Sequence, residues 1–451
     1  MKKNVVWWPA IKNPAHKDKF GGYNYFETTK KSWQYWCDKH DVLFVEFTEP
    51  IEGDLVEFRA NWQKAIFVFD ELEKRGIEYD QILLIDSNIL VRWDCPNLFD
   101  LTDRKFTAAR DVDNMRWTWE SVQGYKEFFN NFEFDFNKYF NSGFIFFNES
   151  HKEVFNSFKD FYYKNRKDLI HLQENVVKRG FEQTCMNYWM QINNIDINLD
   201  IPVIHRMSHM HRKEVLINNW QLNESLTPHF IKHSYIWMFN GTPKDSRTSM
   251  INQTWELVKH HYTLNPIDDV LKLVAHKNNY KNATSKRFKK DLYNFLDNNS
   301  IKTAVEFGCC QGDTTKVLSL ACDKVYASDI SKENVDIAKK KCAGDPNISF
   351  EVKDINTEWP YKNPDLIYLD ALHDTGGIQN GLDRVKNQYP DSIIVMDDYG
   401  HIMNTVKPII DHLIKNDLIE VLKWIGEDKG YKAANDKTFV DKEGLIFKFK
   451  N

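Results

Sequence analysis

The chain has 451 residues, of which 42% are hydrophobic and 28% charged, and a formal net charge of -5. That length exceeds what one hydrophobic core supports, so two domains are expected, and the composition excludes a disordered or fibrous chain. The mildly acidic balance speaks against nucleic acid or a membrane surface as partner, and no apolar run is long enough to cross a bilayer.

The seven scattered cysteines include no CxxC pair, which predicts neither a disulfide framework nor a zinc site and fits a cytoplasmic location. The opening segment MKKNVVWWPAIKN is interrupted by Pro9 and reads as a first strand, not a signal peptide. A helix over TTKKSWQYWCDKH, a strand VLFVEF and the amphipathic segment RANWQKAIFVFDELEKRG follow. YDQILLIDSNILVRWDC is then predicted as a buried strand with a turn. Within it Asp86-Ser87-Asn88 marks the point where the hydrophobic run meets polar residues, a pattern that a turn with an Asx cap also produces. Further along come CPNLFDL (95–101), FNSGFIFFN (140–148), the trio Glu182, Gln183 and Asn187, and PHFIKHSYIW (228–237).

In that order these segments resemble the nucleotide-sugar transferases of GT-A fold, of the glycogenin and lipopolysaccharide-galactosyltransferase kind. The resemblance implies a D-x-D metal site, because the departing nucleoside diphosphate carries charge that a divalent cation neutralises. It implies that Asp86 and Asn88 ligate Mn²⁺ or Mg²⁺, that His229 or His233 completes the set, that Asn141 contacts sugar, and that Glu182 or Gln183 occupies the catalytic position. Asn88 departs from the family's aspartate, and an amide oxygen brings no charge, so metal is expected to bind more weakly there. The histidines of HRMSHMHRK (205–213) have basic neighbours and suit phosphate or a sugar acid better than a cation. Core packing is the default expectation for most of the aromatic residues.

Twelve of the fourteen tryptophans precede residue 260, and the break lies in NPIDDVLKLVAHKNNYKNATSKRFKK. The expected organisation is a first domain over 1–261, a helical connector over 262–285 and a second domain over 286–451. The basic run that ends the connector reads as a solvated helix face.

In the second domain AVEFG (304–308), VYASD (325–329), ISFEVKD (348–354), LIYLD (366–370) and SIIVMDD (392–398) alternate with amphipathic segments such as TTKVLSLAC and SKENVDIAKKKC. That alternation predicts a parallel α/β sheet, with IEVLKWIG and EGLIFKFK as closing strands. Ligands bind beyond the carboxyl ends of such strands, where Glu306, Asp329, Asp354 and Asp370 fall. In EFGCCQGDTT, Gly308 permits a sharp turn and Gly312 is expected to let a ligand approach the backbone. The spacing of the two glycines differs from the dinucleotide fingerprint.

These motifs resemble class I S-adenosylmethionine-dependent methyltransferases of Rossmann-like fold. The resemblance implies that Glu306, Gly308 and Gly312 frame the methionine end of the cofactor, that Asp329 holds the ribose and that Asp354 lies near the adenine. A second constellation, DALHD (370–374) with MDDYGH (396–401), would gather Asp370, Asp397 and Asp398, whose mutual repulsion calls for protons or a cation such as Mg²⁺. A metal-bound hydroxyl loses its proton readily, and His373, with His401 behind it, is the candidate base. Capping and packing roles explain the same residues without metal. The pair of motifs is similar to the metal-dependent sugar O-methyltransferases of the macrocin and mycinamicin type, in which the matching aspartates bind magnesium and the matching histidine is the base.

Together these expectations describe a bifunctional glycan-modifying enzyme that takes a nucleotide-sugar donor and a glycan or glycoconjugate acceptor and then methylates a sugar hydroxyl. One alternative keeps the methyltransferase and makes the first domain an inactive glycan-binding module. Another treats both domains as scaffold, a role that needs none of Asp370, His373, Asp397 and Asp398.

Overall fold

Apolar runs become strands in both halves of the chain. The computed structural model describes residues 2–13, 22–55, 58–111, 114–200, 226–241, 246–263, 266–273, 284–371, 374–401, 405–432 and 438–450. Contacts divide the chain into one unit of Met1–Asn218 with His233–Glu256 and another of Asn219–Lys232 with Leu257–Asn451.

The first unit contributes β1 (Lys3–Pro9), β2 (Leu43–Phe47), β3 (Tyr79–Ile85), β4 (Ile89–Val91), β5 (Phe106–Arg110), β6 (Phe140–Asn148), β7 (Ile197–Asn198) and β8 (Ile236–Met238). Six of them form a sheet in the order β2-β1-β3-β6-β5-β7. β1 runs parallel to β2 and β3, while β6 is antiparallel to β3 and β5. Val5, Val6, Trp7 and Ile82 to Ile85 are all buried, as in strands covered on both faces. β4 and β8 pair separately, antiparallel, beside the turn at Asp86-Ser87-Asn88. The amphipathic segment forms two short helices, Ala60–Ile66 and Val68–Lys74, parted at Phe67.

The second unit contributes β9 (Thr303–Phe307), β10 (Lys324–Asp329), β11 (Ile348–Val352), β12 (Leu366–Leu369), β13 (Ile393–Met396), β14 (Ile419–Ile425) and β15 (Gly444–Phe449). Their order is β11-β10-β9-β12-β13-β15-β14. The first five are parallel, and β15 is antiparallel to both of its neighbours. Helices such as Asp313–Ala321, Lys332–Lys341 and Thr375–Gln388 connect the parallel strands, and apolar clusters line both faces of the sheet. The strand order reverses between β9 and β12, which opens a crevice at their carboxyl ends.

The boundary differs from the expected connector over 262–285. The change of unit comes at Glu256 and Leu257. Ile267, Val270 and Leu271 of the helix Pro266–Leu273 pack on Val317 within the second unit. Their spacing puts the three on one helix face, so that face is core and not linker.

Candidate active sites

In the second unit a cleft of about 520 Å³ opens beyond β9, β10, β11 and β12, lined by Gly308, Cys310, Asp329, Asp354, Asp370 and Asp398 among others. The turn after β9 is fixed by two hydrogen bonds, from the Gly308 and Cys309 N–H groups to the Ser328 carbonyl at 2.8 and 2.9 Å. Gly308 has φ +88°, and a Cβ there would overlap the Asp370 carbonyl oxygen and stand 2.6 Å from its carbon. Only glycine lets the exits of β9 and β12 come this close. Gly312 (φ +81°) has no Cβ where Ala338 packs; one built there would lie 2.9 Å from the Ala338 Cβ. The glycine serves packing of the helix Lys332–Lys341, and it is not among the residues lining the cleft.

Asp329 ends β10 and shapes the cleft through its carboxylate. It accepts the Cys310 N–H at 2.9 Å on one oxygen, and the Ser331 N–H at 2.8 Å and the Asn334 amide at 3.2 Å on the other. A carboxylate has about four lone-pair sites, so about one stays available for a ligand hydroxyl unless Asn334 turns away. Asp354 accepts from the Asn356 N–H at 2.8 Å and from its side chain at 3.0 Å. Ile330, 72% exposed despite its size, and Ile355 add apolar surface to the same cleft.

Glu306 does not reach this cleft. It lies within β9 at 1% exposure, accepts the Thr315 hydroxyl at 2.5 Å on one oxygen, and has no hydrogen-bond partner for the other among the described residues. Burial pushes its carboxyl up to about 8.

Asp370 and Asp398 line the cleft and Asp397 is buried beside them. Burial, and then the neighbouring Asp397 and Asp398 charges, hold the Asp370 carboxyl well above the usual carboxylate range; burial and the Asp398 and Glu443 charges do the same to Asp397. Hard oxygens that resist joint ionisation fit a proton or a divalent cation in chemical kind. They are not gathered as a closed cage: among the described residues only His260, His261 and Asp345 bring three ligand atoms within 4.8 Å of one another. His373 lies outside the described residues, as do His205 to Lys213. His401 is buried and is not itself a lining residue; its backbone N–H donates to the Asp398 carbonyl at 3.2 Å.

The His260, His261 and Asp345 group already holds a cation, the ammonium of Lys316. Lys316 Nζ is 2.6 Å from Asp345 Oδ2 and 3.3 Å from His260 Nε2, and all four residues are buried. Asp345 is held well below the carboxylate range because the Lys316 charge and the histidine hydrogen bonds outweigh its burial.

The first unit has its own cleft, of about 760 Å³, with Asp86, Ser87, Asn88, Asn61, Lys64 and Glu182 in its wall. Lys64 Nζ lies 2.5 Å from Asp86 Oδ1 and 3.5 Å from Glu182 Oε1, and its side chain is 6% exposed. Glu182 also accepts from the Ser142 hydroxyl at 3.0 Å and from the Asn61 amide. Gln183 belongs to an adjoining network instead, donating to Asp111 at 2.9 Å and accepting the Ser142 N–H at 3.2 Å. Asn141 reaches the same Asp111 oxygen at 3.2 Å. The structure thus joins Asp86, Asn88 and Glu182 at one cleft, with Asn141 and Gln183 held through Asp111.

The expected metal set does not fit this cleft. One oxygen of the Asp86 carboxylate is engaged by the Lys64 ammonium, a like charge to any metal ion, and Asn88 brings no charge. His233 is exposed on the short helix His229–His233 and is not a lining residue; His229 begins that helix, half-buried.

Sequence reasoning missed Lys64, Asn61 and Asp111. The available signal was Gln63-Lys64 between Trp62 and Ala65-Ile66, a polar pair in a helix buried on every side. It also missed Cys310, Ile330 and Asn334, whose roles depend on where the β9 and β10 exits meet.

Residues 304–386 match the methyltransferase-domain family. No curated protein matches the chain. Among solved structures, it is similar to the N-methyltransferase NodS of Bradyrhizobium japonicum WM9, at 17% identity over 36% of this chain and 96% of that one, TM-score 0.29. It is also similar to an O-methyltransferase from Bacillus cereus in complex with SAH, at 14% identity over 41% and 90% of the two chains, TM-score 0.30. The O-methyltransferase TomG from Streptomyces achromogenes, involved in tomaymycin synthesis, gives 12% identity over 41% and 88%, TM-score 0.31. Likenesses of this size assign no residue and no substrate. The family match makes the C-terminal unit a methyltransferase domain, and with it the chain an enzyme.

Proposed function

We propose that the C-terminal unit transfers a methyl group from S-adenosylmethionine to a sugar hydroxyl, and that the N-terminal unit adds sugar to the same glycan from a nucleotide-sugar donor. The observation that carries this reading is the cleft at the strand-order reversal, with Asp329, Asp354 and Asp370 on successive strand exits. S-Adenosylmethionine supplies an electrophilic methyl on a sulfonium, which the attacking oxygen takes as the carbon–sulfur bond breaks. Asp329 offers its remaining lone pair to a ribose hydroxyl, and Ile330 and Ile355 give an apolar setting for an adenine. Asp370 and Asp398 line the cleft where the acceptor hydroxyl has to be oriented. His373 stands three residues beyond Asp370 as the candidate base for the hydroxyl proton. Mg²⁺ would be held by Asp370, Asp397 and Asp398, and when bound it would make that hydroxyl more acidic.

For the first unit, the support is the ordered run of motifs and the meeting of Asp86, Asn88 and Glu182 in one cleft. A shared product would reach the second site at raised local concentration. The test uses labelled S-adenosylmethionine with oligosaccharide acceptors. Label that resists alkali and appears after acid hydrolysis as an O-methyl monosaccharide supports sugar O-methylation. Label released by alkali, or found on amine nitrogen, rejects it. Nucleoside diphosphate release from a panel of nucleotide sugars, abolished in Asp86→Ala, tests the first unit.

A further inference from the structure

The N-terminal cleft is lined by three cations, Arg59, Lys64 and Arg247, and three carboxylates, Asp86, Glu174 and Glu182. Its formal charge is therefore balanced before any ligand enters. Lys64 is the most buried of the three cations. Its helix, Ala60–Ile66, is tied to β1 by a hydrogen bond from Trp7 Nε1 to the Lys64 carbonyl at 3.0 Å, and the same helix sends Asn61 to Glu182. Burial alone would favour loss of the Lys64 proton; the Asp86 and Glu182 charges outweigh it and keep the ammonium protonated above its ordinary value. Removing Lys64 would leave the Asp86 and Glu182 carboxylates without the ammonium they share.

A divalent cation on Asp86 would share that carboxylate with the Lys64 ammonium, a like charge 2.5 Å from Oδ1, and would find the uncharged Asn88 amide beside it in place of a second carboxylate. Asn88 has another use. It is 7% exposed, it lines the cleft, and its Oδ1 has no hydrogen-bond partner among the described residues. An acceptor left without a donor is costly, and a ligand hydroxyl, from a ribose or a sugar, would satisfy it.

We propose that the N-terminal cleft binds its ligand without a divalent cation, with the Lys64 ammonium as the fixed positive charge that meets a nucleoside diphosphate and the Asn88 amide oxygen accepting a ligand hydroxyl. An ammonium has three donors, and Asp86 and Glu182 account for two of them. The nucleotide part of this inference rests on the sugar-transfer reading of the first unit; the absence of a cation site rests on the geometry alone.

The experiment compares the full chain with Lys64→Met/Asp86→Asn, a double variant that removes the Lys64–Asp86 pair together and leaves Glu182 its Ser142 and Asn61 hydrogen bonds. Circular dichroism confirms that it folds. Bound Mn²⁺ is counted by electron paramagnetic resonance, and binding of UDP and GDP is measured calorimetrically with Mn²⁺ and with EDTA. The expected result is the same Mn²⁺ count in both proteins, and nucleotide affinity that is unchanged by EDTA and at least about tenfold weaker in the variant. A wild-type protein that holds one more Mn²⁺ than the variant, or nucleotide binding that appears only with Mn²⁺, overturns the proposal. An equal Mn²⁺ count with no nucleotide bound in either buffer supports the cation-free cleft and rejects the sugar-transfer reading.

Discussion

Replacing Asp329 by asparagine should weaken cofactor binding more than it weakens the fold. The two carboxylate oxygens serve different partners: one takes the Cys310 N–H, the other the Ser331 N–H and the Asn334 amide. An asparagine has one acceptor oxygen, so one backbone N–H in the turn then faces an NH₂ group instead. Leaving that donor unmet costs about 1–3 kcal/mol, and losing a charge-assisted bond to a ribose hydroxyl costs about 1.5–3 kcal/mol more. If about half of the first cost is shared with the free protein, the loss on binding is roughly 2–4 kcal/mol, or about 30- to 1,000-fold in Kd. Titration calorimetry with S-adenosylhomocysteine measures this directly, and a denaturation curve on the same sample reports the fold. An Asp329→Asn protein that is folded and binds within about threefold of wild type would refute the assignment of the ribose to this carboxylate.

Gly308→Ala adds a Cβ that overlaps the Asp370 carbonyl at φ +88°; overpacking and the left-handed backbone together should cost about 2–5 kcal/mol in denaturant unfolding of the second unit, and a loss under about 0.5 kcal/mol would contradict the close approach. Lys316→Met leaves Asp345 buried without its ammonium and should destabilise by about 3–5 kcal/mol near neutral pH. That loss should shrink toward pH 5, because His260, whose proton affinity burial now pushes down to about 4, can protonate in its place; a pH-independent loss would exclude the exchange. Glu306 has its carboxyl pushed up to about 8 from an ordinary 4.5, so in the cofactor-free protein it costs nothing below about 4.5 and progressively more stability as pH rises toward 8. Glu306→Gln should therefore melt increasingly above wild type as pH is raised across that window, and parallel melting profiles would refute the buried, protonated state.

Much of the second unit was legible because its signals are local. LIYL and IIVM are continuous apolar strands, and the acidic residues at or just beyond the ends of β10, β11 and β12 line the cleft. Asp329, Asp354 and Asp370 follow from that rule alone. Glu306 lies one residue before its strand ends and is buried, outside the residues that line the cleft. At Gly312 the structure adds a demand for glycine that spacing does not show, the close packing of Ala338. Lys64 was hidden for the same reason. A lysine in an amphipathic segment reads as a solvated face, and its partner Asp86 is a neighbour only once the helix docks on β1. Falling aromatic content drew the expected connector over 262–285, and within it Ile267, Val270 and Leu271 are spaced as the face that packs on Val317.

A crystal structure with S-adenosylhomocysteine tests whether the C-terminal cleft is the methyl donor's site. The ribose should lie on Asp329, the adenine against Ile330 and Ile355, and the sulfur toward Asp370. Cofactor bound elsewhere in the chain, or a cleft that stays empty at saturating concentration while methyl transfer proceeds, would contradict it.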